Sequence, residues 1–502
     1  METELKLQVP PAQLERIRQH PMLAQLAAAG AVEHQLVDTY YDTAAHDLWK
    51  QGLTLRVRES GGAWIQTVKT AAATSPGLHE RGEWECALPD ATPQPALLAR
   101  QIKQEALSQA LADAEAGQLL PIFRNLTRRT TWALRWPDGD EVECALDAGR
   151  IESGGSNTEI AELELEIKHG SSTHLFELAL ALHADIPLRM SNDSKAARGF
   201  AMLERPPTQP VKAQAVELGK HATLEDTFQL IGLNCLRQME ANVPGVLDQN
   251  VESLHQMRVG LRRLRALVDM FGELAPPPAE IAEGLDWLAG ALGATRDWDV
   301  LADSTLEQVH GIDPAPLRLA ARARADKLHK ELLQTLHSSR FTQVLLSVNG
   351  WLHARQWRSD GKLPKRSSLA EPATKACLPL LRKAEKRLSR RIADFDGKEP
   401  EHRHRIRIAA KKARYGAEFF RDLLPAKEVK HYVAQLSELQ DRLGLLNDFA
   451  VADHLLPELQ KGNGEVARQA AYARGYLAAT AEADNGELAA ALKAVAKLRL
   501  PR

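Results

Sequence analysis

Cysteine is scarce. Cys86, Cys144, Cys235 and Cys377 are the only four in 502 residues, too few and too scattered for a disulfide framework or a CxxC metal site. A reducing compartment follows, and a cytoplasmic location is expected. No apolar run approaches the roughly 18 residues that a membrane span needs, so no membrane partner is expected. The opening METELKLQVP has neither a basic n-region nor an apolar h-region, and no secretory leader is expected. Net charge is almost absent too: 64 Lys+Arg against 66 Asp+Glu leave −2, which on the whole chain argues against a polyanion partner. With 44% hydrophobic and 26% charged residues, the composition is that of an ordinary globular chain, which excludes disordered, collagen-like and coiled-coil classes.

The charges that are there are unevenly placed. Residues 1–205 hold 20 Lys+Arg and 29 Asp+Glu, a net −9, and residues 206–502 hold 44 and 37, a net +7. An acidic module is joined to a basic one. Between them, RPPTQPVKAQAVELG has three prolines in its first half and no apolar periodicity, so it reads as a linker. The organisation expected is a domain at 1–204, a linker at 205–218 and a second domain at 219–502.

Before the linker the hydrophobic pattern has period two. Strands are expected at 2–9, 35–42, 53–59, 64–70, 83–88, 125–134, 141–147 and 159–168, with helices near 12–29, 95–116 and 172–184. Eight alternating strands suggest a closed antiparallel barrel or a sandwich. Successive side chains face opposite sides of a sheet. Glu2, Glu4 and Lys6 therefore share one face, as do Glu162, Glu164, Glu166 and Lys168, with Leu5, Leu7, Leu163, Leu165 and Ile167 opposite. Arg56 and Arg58 share a face, as do Glu83 and Glu85. For any single strand, a solvated outer face is the simpler reading. Repeated over most of the strands, the pattern fits a barrel whose charged face points inward. Clustered carboxylates with hard oxygen donors suit Mg²⁺ or Mn²⁺, and interleaved Arg and Lys suit phosphate oxygens.

After the linker the pattern is helical throughout, with 3.6-residue apolar spacing at 224–241 and 432–446 and breaks at 276–278, 311–316, 359–372 and 397–400. This half repeats itself, with units at about 219–370 and 371–502. His255-x-x-Arg258-x-x-x-Arg262-Arg263-x-Arg265 matches His404-x-x-Arg407-x-x-x-Lys411-Lys412-x-Arg414 position for position. On a helix of 100° per residue, His255, Arg258, Arg262 and Arg265 project from one face, and so do His404, Arg407, Lys411 and Arg414. A solvated basic face is the ordinary reading of one such stripe. Two identically spaced stripes fit a cationic groove for a polyanion. Nucleic acid is not expected, because the stripes lack interleaved aromatics for base stacking.

Glu2-x-Glu4-x-Lys6, followed in order by Arg56-x-Arg58, Lys69, Arg128/Arg129, Asp147, Glu162-x-Glu164 and Lys195, resembles the CYTH, or triphosphate tunnel metalloenzyme, superfamily over residues 1–204. The repeated His/Arg stripe resembles a CHAD domain, a duplicated helical module associated with polyphosphate, over about 219–502. The tandem is similar to bacterial inorganic triphosphatases. The resemblance implies an α+β multidomain chain: an eight-stranded antiparallel β-barrel tunnel with flanking helices, then an all-α duplicated bundle. It implies that Arg56, Arg58, Lys69, Arg128 or Arg129, and Lys195 bind a triphosphate, with Lys6 orienting the chain. Glu2, Glu4, Glu162 and Glu164, with Asp147, would hold one or two divalent metals, Mg²⁺ or Mn²⁺. The stripe residues His255, Arg258, Arg262, Arg265, His404, Arg407, Lys411 and Arg414 would bind polyphosphate.

The activity implied is metal-dependent hydrolysis of inorganic tripolyphosphate to diphosphate and phosphate. The chain shows no aromatic pocket suited to a thiazole or adenine ring, the nearest candidate being Tyr40-Tyr41. Thiamine triphosphatase or adenylate cyclase chemistry on the same tunnel is an alternative. So is a non-catalytic polyphosphate-binding or targeting protein. Neither the metal, the physiological triphosphate nor the oligomeric state is set by the sequence.

Overall fold

The computed structural model describes residues 2–70, 73–75, 77–204, 207–219, 221–358, 366–395, 400–461, 464–483 and 485–501. Arg205 and Pro206 of the expected linker, and residues 359–365 and 397–399 of the expected breaks at 359–372 and 397–400, lie outside them. The chain forms two compact units. The first is Met1–Pro207 with His337–Ala354, and the second is Thr208–Leu336 with Arg355–Arg502.

The first unit is built on one antiparallel sheet. Its strands are β1 (Glu2–Gln8), β2 (Val32–Asp42), β3 (Leu53–Ser60), β4 (Ala63–Thr70), β5 (Ala73–Ser75), β6 (Leu78–Arg81), β7 (Glu83–Leu88), β8 (Leu120–Arg135), β9 (Glu141–Ser153), β10 (Ser156–His169) and β11 (Arg189–Met190). The order is β5-β6-β1-β10-β9-β8-β2-β3-β4-β7, with β11 added to β1. All eight expected strands are present, and β5, β6 and β11 are short additions. Among the described residues no pairing joins β5 to β7, so the sheet curls as a half-barrel. Two hairpins are closed by Gly-Gly pairs. Gly61 and Gly62 turn β3 into β4 at φ 57° and 83°, and Gly154 and Gly155 turn β9 into β10 at φ 56° and 83°. A two-residue turn that matches the strand twist needs positive φ at both positions, which glycine adopts without a steric penalty.

Burial decides which face points inward. The apolar face of β1, β9 and β10 (Leu5, Leu7, Leu146, Leu163 and Leu165) is sealed by Leu175, Phe176, Leu178 and Leu182 of helix α1 (Thr173–Asp185). Leu53, Leu55 and Val68 of β3 and β4 are sealed by Leu98 and Leu111 from the helices Pro95–Ala99 and Glu105–Ala116. With helices on the convex side, the charged face lines the concave side. The helix Ser339–His353 also belongs to this unit. Its Leu346 enters the same core, its Ser339 carbonyl accepts from His183 Nε2 at 2.8 Å, and His353 stacks on Phe176. Helix α2 (Lys195–Leu203) lies on the concave side, where Ala196 and Phe200 pack with Tyr40, Phe123, Ile151 and Ile160.

The second unit is helical. Each repeat contributes a basic helix and a long partner: α3 (Val251–Phe271) with α4 (Ala279–Val300), and α5 (Pro400–Phe419) with α6 (Ala426–Leu459). Helices α3 and α5 pack against each other, so the two stripes are neighbours. Asn250 starts α3 by accepting from the Ser253 N–H at 2.9 Å, and Thr223 with Asp226 forms a capping box on Leu224–Ala241. Among the described residues, no helix is long and apolar enough to cross a membrane.

Candidate functional site

Strand register brings the inward charges together in cross-strand pairs. Lys6 lies opposite Glu164 and Glu4 opposite Glu166. Asp147 lies opposite Glu162 on one side and Arg129 on the other. Asp38 faces Arg58, and Lys69 faces Glu83. Opposed residues stand close enough to form ion pairs. Here they wall a cavity of about 460 Å³ lined by Glu4, Lys6, Glu164, Asp147 and Arg129 from β1, β10, β9 and β8, by Arg56, Arg58 and Lys69 from β3 and β4, and by Lys195 of helix α2.

Two of the lining residues, Asp147 and Glu164, meet Glu162: one oxygen from each of the three falls within 4.8 Å of the others, all three residues buried. Three cations hold them, with Arg198 reaching Glu162 as a fourth. Lys195 Nζ lies 2.7 Å from Asp147 and 3.0 Å from Glu164 and also bonds Glu162. Arg129 donates to both Asp147 oxygens at 2.7 and 2.6 Å and to Glu164 at 2.5 Å. Lys6 reaches Glu164 at 2.7 Å and Glu4 at 3.2 Å. The Ser194 hydroxyl accepts from Ala197 N–H at 3.0 Å, starting α2 so that Lys195 enters the site from its first turn. Burial pushes the Asp147 and Glu164 carboxyls up, but Lys195, with Arg129 and Lys6, outweighs it, and both stay below the usual carboxylate range. Burial disfavours the Lys195 ammonium, and Asp147 and Glu162 reverse that, raising it above an ordinary lysine.

The donor set suits a divalent ion. Three buried carboxylates that close together offer the hard oxygens that Mg²⁺ or Mn²⁺ takes, and like charges so placed demand cations. Glu162 is buried and also contacts Arg198 at 3.3 Å. The Glu2 side chain lies outside the described residues. Arg128 is exposed on the opposite face of β8 from Arg129 and does not line the cavity. Glu83 pairs with Lys69 at 2.8 Å, and Glu85 accepts from Thr67 at 2.8 Å, so both are wall groups.

Sequence reasoning missed Asp38 and Arg198. Asp38 is 2% exposed and binds Arg58 at 2.6 and 3.0 Å, with Arg56 at 3.7 Å. Burial raises its carboxyl, but Arg56 and then Arg58 outweigh that and hold it at about 2. Period two on β2 puts Asp38 on the face of Leu36 and Tyr40, a signal that a lone acid between two apolar residues hides. Arg198 follows Lys195 by three residues, one helical turn on the same face.

In the second unit, Arg258, Arg262, Arg407, Lys411 and Arg414 lie close enough to repel one another. The Nε atoms of Arg262 and Arg407 are buried without a partner. Burial, then neighbouring cations, lowers Arg262 and His255, and burial pushes Lys411 down to about 6, with Arg407, Arg262, Arg258 and Arg414 adding to it. Acids temper the edges. Arg258 meets Asp297 at 3.0 Å, and Arg414 meets Glu418 at 2.9 Å while lying over the Tyr415 ring. Arg265 is exposed and tied to Asp286 at 2.5 Å. His404 is exposed and borders a separate cavity of about 390 Å³ with Asn447 and His454.

A concave antiparallel sheet lined with paired carboxylates and cations, in one chain with a duplicated helical bundle carrying two basic stripes, defines a tunnel-type phosphate-handling class. The chain is a CYTH domain followed by a CHAD domain: residues 1–200 match the former and 231–457 the latter. An inorganic triphosphatase of Haemophilus influenzae is 33% identical over 205 residues, 40% of this chain and 54% of that protein, so the match spans about half of the relative's length. An uncharacterized protein of Mycobacterium tuberculosis is 26% identical over 443 residues, 79% of each chain. The crystal structure of the CHAD domain from the plant Ricinus communis superposes with a TM-score of 0.53 at 34% identity, covering 59% of this chain and 99% of that one.

Proposed function

We propose that the first unit hydrolyses inorganic tripolyphosphate to diphosphate and phosphate with a divalent metal, Mg²⁺ or Mn²⁺, and that the second binds polyphosphate. The observation that carries the first part is the Asp147/Glu162/Glu164 trio, of which Asp147 and Glu164 line one cavity with Arg56, Arg58 and Lys69. A relative named an inorganic triphosphatase supports it. Asp147, Glu162 and Glu164, with Glu4 beside them, would hold the metal, whose contribution is to neutralise phosphate oxygens and activate water.

The chain's own residues do the rest. Phosphoryl transfer passes through a loose transition state, so positioning and charge neutralisation dominate. Arg56, Arg58 and Lys69 bind the equatorial oxygens of the chain and hold the scissile bond in line. Lys195, Arg129 and Lys6 exchange carboxylate partners for phosphate oxygens and stabilise charge as it develops on the terminal group and the leaving diphosphate. A carboxylate released from its ammonium orients the attacking water and accepts its proton. No serine, cysteine or histidine nucleophile is required.

The test is a steady-state panel of tripolyphosphate, ATP and thiamine triphosphate, with EDTA and with added Mg²⁺ or Mn²⁺. Tripolyphosphate is expected to turn over fastest, activity to vanish in EDTA, and added metal to restore it. Tripolyphosphate hydrolysed no faster than ATP would overturn the substrate assignment.

A further inference from the structure

The two basic stripes are equivalent at every position but differ in one property. The seventh residue after each histidine is Arg262 in the first repeat and Lys411 in the second. A guanidinium stays charged at any physiological pH, whereas a half-buried ammonium among other cations readily gives up its proton.

The surroundings of Lys411 favour that loss. Facing it are Arg407 and Arg414 of its own helix α5, Arg258 and Arg262 of α3, and the acid Asp448 of α6, which has Asp297 of α4 beside it. Among the described residues Lys411 has no ion-pair partner. Two of the four guanidinium groups around it carry buried, unpartnered Nε atoms. The groove therefore holds a surplus of cations.

We infer that binding of a phosphate chain in this groove is coupled to uptake of a proton by Lys411, so that affinity for the chain falls as pH rises. The inference rests on the polyphosphate reading of the groove and concerns its regulation. Empty of anion, the cluster keeps Lys411 largely neutral above about pH 6. Phosphate oxygens laid along the stripes offset the repulsion from the arginines, so the bound state favours the ammonium. The complex then holds about one proton more than the free protein, and affinity falls about tenfold per pH unit between the free and bound values. Lys411→Arg removes the titration and keeps the charge.

The test is titration calorimetry of the full chain with sodium polyphosphate in EDTA, at pH 6.5, 7.5 and 8.5, in buffers of different ionisation enthalpy. Wild type, Lys411→Arg and Arg262→Ala/Arg407→Ala are compared. The wild type is expected to take up close to one proton at pH 7.5 and to lose about tenfold in affinity per unit. Lys411→Arg is expected to bind with a flatter pH profile and most of that uptake gone. Titration of the ligand's own end groups, or of a chain held in the barrel, is common to both proteins and cancels. Equal uptake in wild type and Lys411→Arg would overturn the inference and move the proton to another group, such as His255. Unchanged polyphosphate binding in Arg262→Ala/Arg407→Ala would overturn the groove itself. The two failures are thus distinguishable.

Discussion

Asp38 illustrates what a single buried charge does for the cavity wall. Its two oxygens hold Arg58 at 2.6 and 3.0 Å and sit 3.7 Å from Arg56, so the guanidinium pair has one fixed anchor. Because its carboxyl is held at about 2, below the ordinary carboxylate, the stability it contributes is fully present above about pH 4 and is lost as pH falls toward 2. Asp38→Asn removes the charge with little change of shape. Breaking one side of a buried pair leaves uncompensated charge, so a loss of about 3 kcal/mol by urea denaturation at pH 7 is expected, shrinking below pH 3. Turnover of tripolyphosphate is expected to fall about 10²-fold as the arginines lose their geometry. An unchanged kcat/KM in a folded Asp38→Asn protein would remove the anchor from the mechanism. Individual residues were unequally legible in the sequence. Glu4, Lys6, Glu162 and Glu164 announced themselves by repeating at every second position. Asp38 did not, because Leu36 and Tyr40 flank it on its strand face. Adjacent arginines on a strand point to opposite faces, and Arg129 rather than Arg128 lines the cavity.

At the scale of elements, period two located all eight long strands, and the structure closes two of the hairpins with Gly-Gly pairs. The turns and the strands use glycine for different reasons. Gly155 sits at φ 83° and a Cβ there would meet nothing within 4 Å. Gly155→Ala should therefore cost only its backbone strain, about 1–2 kcal/mol. Gly149, inside β9, has no positive φ, but its Cβ would lie 1.9 Å from the Leu126 carbonyl oxygen of β8. Gly149→Ala must push the two strands apart, and its expected loss is larger, about 3 kcal/mol or more. Comparing the two midpoints in urea checks this, and a Gly155→Ala loss equal to that of Gly149→Ala would contradict it. Two element-level features had no sequence signal. Helix α2 is not among the expected helices, and its seat on the concave side depends on Phe200 meeting Tyr40 and Phe123. The helix Ser339–His353 lies far along the chain from the barrel core that Leu346 enters, and periodicity carries no information on which core a buried face joins.

At the scale of the whole molecule, a net charge of −2 conceals two charged surfaces of opposite arrangement. In the sheet, cations and carboxylates neutralise each other pair by pair, so a phosphate chain must bring a metal to take over the carboxylates its own oxygens displace. In the helical unit, Arg262, Arg407 and Lys411 have no carboxylate in ion-pair contact among the described residues, so under the proposed function a chain would bind there as a bare anion. The two surfaces should respond differently to the same solution. Glu164→Gln is expected to lower tripolyphosphate turnover at least 10²-fold and leave polyphosphate retention intact, because it removes a metal-side carboxylate from the sheet alone. Arg262→Ala with Arg407→Ala is expected to weaken retention on a polyphosphate matrix by more than tenfold at 100 mM salt while sparing turnover of the short substrate. Retention by the wild type should also fall steeply with salt and without any metal requirement, as for any site that releases counterions from a polyanion. Glu164→Gln turning over at the wild-type rate would take the carboxylate trio out of catalysis. Retention that needed added metal would mean that the sheet, and not the helices, holds the long chain.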